Sequence, residues 1–261
     1  MRPSNPWWAP PLLALQFLTR LPVPDTQNLS AATVQSGLVR AVGWFPLVGA
    51  LIGAITASVA ILAAMLWPVP VAVLLALAIE ARLTGAFHED AVADFCDAFG
   101  GGQSADDTRR IMKDSRIGSY GAVGLILALA LRAALLITVL EAFEPAAAVI
   151  IIIASATFGR LLAVAVMAAV APAPTGTGLA RDIASGVGPG LLAVAVLTAI
   201  PGLLPFALLA PLAVLAAAAA GLAFILWFRA LLMRRIGGST GDCLGFAAYV
   251  GQLLLLLAAV P

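Results

Sequence analysis

Charge is scarce in this 261-residue chain: Asp, Glu, Lys and Arg together make up 10% of it, against about 25% in a soluble globular domain. With 62% hydrophobic residues and a mean hydropathy of +1.08, a water-soluble fold is excluded. The few charges nearly cancel, 14 basic against 13 acidic, so net charge points to no nucleic-acid partner. Histidine and lysine occur once each, as His88 and Lys113, and cysteine twice, as Cys96 and Cys243. Neither the number nor the spacing of these cysteines suggests a disulfide framework or a zinc site. The short run Leu12–Leu18, flanked by Pro10, Pro11 and Pro22, is too brief for a signal peptide. No internal repeat and no separate soluble domain stand out.

Long apolar runs are what the chain has instead. A helix rising 1.5 Å per residue needs about 20 apolar residues to cross roughly 30 Å of hydrocarbon. Seven spans are expected, at about 42–66, 69–87, 118–140, 146–171, 187–204, 206–228 and 243–260, with Pro189, Pro201 and Pro205 crowding the fifth. The expected architecture is an all-α polytopic transmembrane bundle forming one integral-membrane domain over 1–261. Residues 1–41 form an N-terminal segment whose stretch Trp7–Val23 suits the headgroup layer, and 88–117 form the main polar loop.

Seven crossings sort the cations to one side. Arg2, Arg20, Arg40, Arg109, Arg110, Lys113, Arg116, Arg181, Arg229, Arg234 and Arg235 fall there, and the opposite loops carry no basic residue. The positive-inside rule therefore puts the N-terminus and the long loops in the cytoplasm. Arg82, Arg132 and Arg160 fall within spans. Glu80 and Arg82 lie near the cytoplasmic end of the second span and are expected to snorkel. Arg132 is expected to form a structural pair or to snorkel to the far side. Arg160, near the middle of the fourth span, is a candidate functional cation, because an isolated intramembrane charge is costly.

Seven of the thirteen acids lie between Glu89 and Asp114. On a helix, Asp90, Asp94 and Asp97 fall at i, i+4 and i+7 and share one face. Like charges so placed repel one another, and a hard cation relieves them; Mg²⁺ takes carboxylate oxygens and bridges to substrate phosphates. Glu89 points to a neighbouring face as a possible fourth ligand. His88, opposite Asp90, reads as a packing or hydrogen-bonding residue. Gly100-Gly101-Gly102 ends the helix. A second group, Lys113-Asp114-Ser115-Arg116-Ile117-Gly118, offers cations, a hydroxyl and glycines before the third span, the ingredients of a phosphate site. A third, Gly237-Gly238-Ser239-Thr240-Gly241-Asp242, is a glycine-rich loop feeding a helix, without the lysine of a Walker P-loop. Acids, bases and glycine backbone on one side suit phosphoryl transfer, where catalysis is mostly positioning and charge neutralisation.

These motifs, together with Gln16-Phe17-Leu18-Thr19-Arg20-Leu21-Pro22-Val23-Pro24 and Ile111–Gly121, resemble the cobalamin synthase (adenosylcobinamide-GDP ribazoletransferase) family in order and spacing from about residue 12 to 255. The resemblance implies a Mg²⁺-dependent integral enzyme of the cytoplasmic (inner) membrane that joins adenosylcobinamide-GDP to α-ribazole or its 5′-phosphate and releases GMP. It implies that Asp90, Asp94 and Asp97, aided by Glu89, hold Mg²⁺ on the diphosphate. Asp114 would complete that site or act as base. Lys113 and Arg116 would contact phosphates, with His88, Ser115, Gly118, Thr240 and Gly241 around the substrates. Arg160 would neutralise developing charge, and Asp242 would orient its loop or serve a second metal. A homo-oligomer and association with other enzymes of nucleotide-loop assembly are further expectations. Two departures are visible: Ala91-Val92 stands where the family usually has Gly-Leu, implying tighter packing, and Gln252 stands where Glu is expected. Two alternatives are a transferase joining a CDP-activated head group to a lipid alcohol, whose Ala-Arg pair is missing here, and a transporter. A transporter would hold its ligand groups near the midplane, whereas the acids here concentrate outside the spans.

Overall fold

The structure, a computed structural model, describes residues 6–174, 183 and 186–260; Arg2 and Arg181 of the charge pattern lie outside the described residues. Eleven α-helices follow one another among those described: α1 (Ala9–Leu18), α2 (Ala31–Ala41), α3 (Phe45–Ala64), α4 (Val69–Thr84), α5 (Phe87–Gly101), α6 (Ala105–Ile111), α7 (Ser119–Ala142), α8 (Pro145–Ala169), α9 (Pro189–Leu209), α10 (Pro211–Arg235) and α11 (Gly241–Ala259). No strand occurs among them; the one isolated bridge joins Pro172 to Ser239. The expected all-α membrane bundle is what the chain forms. Six segments are long and apolar enough to cross a membrane, and the bent pair α4–α5 raises that to seven.

Proline sets most of the helix starts. It occupies the first or second position of α1, α3, α4, α8, α9 and α10, where its missing N–H would have had no partner in any case. Ser30 and Ser104 cap α2 and α6 through their side chains, two helices that the apolar pattern does not announce. The fifth span is longer than expected. It continues through Pro201 and Pro205 to Leu209, and the turn falls at Ala210 rather than near Pro205. A membrane helix tolerates the loss of two N–H donors where neighbouring helices, side chains and local adjustment of the backbone satisfy the freed carbonyls.

Helices α3, α8 and α11 form the centre. Gly49 and Gly53 of α3 lie against the backbone of α8 at Ala156 and Ile153, and Gly159 of α8 meets Gly251 and Gln252 of α11. Small residues let backbones approach this closely, which is how helices associate without a hydrophobic drive between them. The outer helices α7, α9 and α10 leave Ile126, Leu127, Leu197, Leu208, Leu212 and Leu226 exposed, the composition of a lipid-facing surface.

Helix α5 is set differently. It meets α4 at 89°, at the end of the bundle that carries the basic loops. The elbow is Gly85-Ala86, both left-handed, with φ of 74° and 56°. Arg20 fixes it from outside: its N–H donates to Leu83 O at 2.7 Å, and its guanidinium lies where a Cβ on Gly85 would sit.

A candidate acid-lined active site at the basic end of the bundle

Helix α5 carries the acids on an otherwise apolar rod. Ala91, Val92, Phe95 and Ala98 are buried, with Phe95 stacked on Phe99 and Phe246 at centroid separations of 4.2 and 4.0 Å. Ala91, in the place of an expected glycine, is accommodated by Gly245 of α11, where an added Cβ would collide with it. Packing on α11 and α7 thus fixes which way the acids face.

The four expected metal ligands do not act as one group. Asp94 is half-buried, and burial followed by repulsion from Asp90, Asp242 and Asp97 pushes its carboxyl up to about 6. Asp242, in the first turn of α11, thereby joins the acid face from about 150 positions further along the chain. Asp97 is already bonded: its Oδ2 accepts from Gly118 N and its Oδ1 from Gly121 N, each at 2.7 Å. It caps α7, satisfying amides that a helix N-terminus leaves free. Glu89 turns the other way, 3.7 Å from Arg132.

Asp97 also alters the second motif. The Gly118 amide expected to meet a substrate phosphate is taken by an internal carboxylate, so the α7 N-terminus is not an open anion site. Asp114 is held by Arg116 through Nε at 3.0 Å, Nη2 at 2.7 Å and the backbone N–H at 3.1 Å, and these bonds hold its carboxyl down at about 2. It is a poor base at neutral pH. Lys113 and Ser115 are exposed beside it.

The third loop is stitched to the first. Arg235 donates to Gly102 O at 2.7 Å and Phe99 O at 3.3 Å, covering the carbonyl end of α5. Arg109 donates to Ile236 O at 3.2 Å. Thr240 caps α11 by accepting from Cys243 N and donates to Met112 Sδ at 3.0 Å. Backbone bonds between Ser239 and both Ala171 and Ala173 tie in the loop that follows α8. The loops are thus brought to one surface. Thr240 is spent on structure, whereas Gly241 lines a cavity with His88 and Arg160.

Beneath α5 lies a buried polar layer. Arg132 Nη2 donates to Glu80 Oε1 and Oε2 at 2.8 and 2.7 Å, and Thr56 donates to Oε2 at 2.7 Å. Glu80 therefore does not snorkel: at 3% exposure it is the inward partner of Arg132, since α4 turns that face toward α7. Arg132 is the expected structural pair, while Arg82 is exposed. Arg160 is 1% exposed and, among the described residues, makes one weak bond, from Nη1 to Ala156 O at 3.3 Å. His88 is buried beside Arg160 and Arg132, and burial and those charges hold its imidazole well below the ordinary value, so it is neutral. Gln252 is buried in the bundle against Gly159, remote in character from any acid–base role.

A sequence profile for cobalamin-5-phosphate synthase matches residues 10–260. The chain belongs to that family. Relatives named adenosylcobinamide-GDP ribazoletransferase include those of Ralstonia nicotianae, 42% identical over 249 residues covering 94% of this chain and 92% of the relative. That of Rhizobium etli is 40% identical over 254 residues, 94% of each chain, and that of Vibrio cholerae 38% identical over 247, covering 94% and 91%. No solved structure matches. The protein is thus a multi-pass membrane transferase of cobalamin biosynthesis.

Among the described residues, no three His, Cys, Asp or Glu side chains already converge closely enough to hold an ion. The donor set nonetheless fits Mg²⁺. That ion usually binds through one or two carboxylates, keeps waters and completes its shell with substrate phosphates. Asp90 and Asp94, faced by Asp242, supply that number of hard oxygens in a place where three carboxylates repel Asp94 and no cation offsets them.

Proposed function

We propose that this synthase transfers the adenosylcobinamide phosphate group of adenosylcobinamide-GDP to the 3′-hydroxyl of α-ribazole or α-ribazole 5′-phosphate. A bond forms between the ribazole oxygen and the phosphorus carried by the aminopropanol arm, the hydroxyl proton is released to solvent, the bridging P–O bond to the guanylate breaks, and GMP leaves with the electron pair. The names of the relatives and the match along nearly the whole chain support the substrates. The observation that supports the chemistry is that Asp90, Asp97 and Asp242 all repel the half-buried Asp94, at the end of the bundle where Lys113 and the glycine-rich loop also lie.

Asp90 and Asp94, with Asp242 opposite, are the residues that would hold Mg²⁺. The ion supplies charge neutralisation on the diphosphate when bound. Asp97 acts through α7: by capping it, the carboxylate sets where Lys113–Arg116 stand relative to α5. Lys113, exposed and without an ion pair among the described residues, is the free cation for the departing guanylate. Arg116 is neutralised by Asp114 and contributes less. The basic ends of the helices face the cytoplasm in this reading, where nucleotide substrates are found, and the membrane is the inner one.

Purified protein in nanodiscs, given adenosylcobinamide-GDP, α-ribazole and Mg²⁺, should release GMP and form cobalamin. No GMP from wild type, under conditions where the Ralstonia nicotianae relative forms it, overturns the reading.

A further inference from the structure

The first turns of α7 form one wall of an open groove whose other wall is α5. The groove has a volume of about 520 Å³, with Cys96, Phe99 and Gly100 of α5 and Ser119, Tyr120 and Val123 of α7 in its lining, a size within the ~300–1,000 Å³ range of small-molecule sites. No charged side chain lines it among the described residues. On α5, Phe99 projects roughly 180° from Asp90 and roughly 140° from Asp94, so the groove lies behind the acid face and not on it.

Its surroundings say what covers it. The α7 wall runs on into the outer surface of the bundle: Tyr120, Val123, Leu127 and Leu131 recur at helical spacing and are 58, 57, 63 and 41% exposed. From Tyr120 to Leu131 this stripe is ~17 Å long, about one leaflet of a hydrocarbon layer roughly 30 Å thick. The polar end of the groove is Ser119, where the span begins, with Tyr120 beside it at the level where interfacial aromatics sit. A cation stands over the α5 wall. The Arg235 guanidinium lies 5.5 Å from the centroid of the Phe99 ring, and its hydrogen bonds go to the carbonyls of Phe99 and Gly102, so among the described residues no carboxylate offsets its charge. The groove is therefore hydroxylic and cationic where the span starts and apolar along the span, which is the polarity of an anionic phospholipid.

We infer that the α5–α7 groove binds one phospholipid with an anionic head group, the head group beside Arg235 and one acyl chain along Phe99, Tyr120 and Val123. Basic pockets between membrane helices take anionic head groups by the same charge matching. The lipid packs the back of α5 while Asp90 and Asp94 occupy its front, so this site is independent of the proposed transfer reaction.

Native mass spectrometry tests the occupant directly. Wild type released from nanodiscs of equal phosphatidylglycerol and phosphatidylcholine should retain one lipid, with a ~5-fold preference for phosphatidylglycerol, the scale of one cation near an anionic head group. Arg235→Gln should keep the lipid and lose the preference, and Val123→Trp, which fills the groove from an exposed position, should retain none. Wild type without lipid, or Val123→Trp indistinguishable from it, overturns the inference. A second measurement needs neither variant. With Cys96 and Cys243 replaced by Ala, Ser119→Cys in lipid-free micelles should be alkylated ~10-fold more slowly when phosphatidylglycerol is added at ten times its Kd, and less so with phosphatidylcholine. Equal slowing by the two lipids overturns the head-group assignment. Slowing by α-ribazole and by neither lipid gives the groove to the acceptor and overturns the inference outright.

Discussion

Asp94 and Asp114 are aspartates of the same polar region in opposite electrostatic settings, and their substitutions should differ accordingly. Asp94 is raised to about 6 by burial and by Asp90, Asp242 and Asp97. Asp94→Asn should lower kcat/KM by ~10²-fold or more at saturating Mg²⁺, the scale of losing one preorganised electrostatic contact; near-wild-type turnover would dismiss its role. The pH dependence follows in sign. Because its carboxyl titrates above the ordinary 3.8, the folded state holds the proton more tightly than the unfolded one, and this stabilisation is lost as pH rises from ~4 through ~6. Protons compete with Mg²⁺ as pH falls through about 6. The rise in Tm on adding Mg²⁺ should therefore grow between pH 5 and pH 7 in wild type and stay flat in Asp94→Asn. Asp114, held at about 2 by Arg116, does not titrate in that window, so Asp114→Asn should leave the shape of the kcat–pH profile intact. Helical spacing was enough to place Asp90 and Asp94 together. It could not show that Asp97 is bonded to amides 21 and 24 positions away, or that Asp242 stands opposite, because both depend on how α5 crosses α7 and α11.

At the scale of elements, the elbow between α4 and α5 and the pair beneath it hold the acid helix in place. Gly85→Ala puts a Cβ into the Arg20 guanidinium at a φ of 74°, a left-handed conformation that costs an L-residue roughly 1–2 kcal/mol. Tm should fall by that equivalent, with a larger proportional loss of kcat because α5 is re-aimed; a loss of Tm with full activity would separate the elbow from the site. Glu80 and Arg132 couple α4 to α7 across 52 positions. Removing one partner strands the other, so Glu80→Gln alone should destabilise by about 3–5 kcal/mol, and Glu80→Gln with Arg132→Gln by clearly less. Detergent-solubilised protein followed by intrinsic tryptophan fluorescence reads both. Glu80 looked like a snorkelling residue because its distance from the span end is legible in the chain, whereas the rotation of α4 toward α7 is not. Helix α9 differs for a related reason: Pro201 and Pro205 read as helix breakers in the chain, whereas the helix continues through them packed on α8, with Gly202 against Thr157.

At the scale of the whole molecule, charge asymmetry and chemistry coincide. The helix ends that carry Arg109, Arg110, Lys113, Arg116, Arg229, Arg234 and Arg235 also carry Asp90, Asp94 and Asp242, while the other end has acids Glu141 and Glu144 and no cation. Cationic loops are retained in the cytoplasm during insertion; on the proposed orientation, the residues that orient the bundle would also deliver its site to the compartment of the proposed nucleotide substrates. A chain inserted the other way would present the acids to a side without them. This is testable by labelling. The native thiols are poor reporters, Cys243 being buried and Cys96 partly so, and both can be replaced by Ala. In that background, Ser115→Cys should react with a membrane-impermeant maleimide in inside-out vesicles and not in right-side-out ones, and Glu141→Cys should show the reverse. Equal labelling of Ser115→Cys from both sides, or the opposite pattern, would break the link between the basic loops and the location of the site, and with it the reading of α5 as a cytoplasm-facing helix.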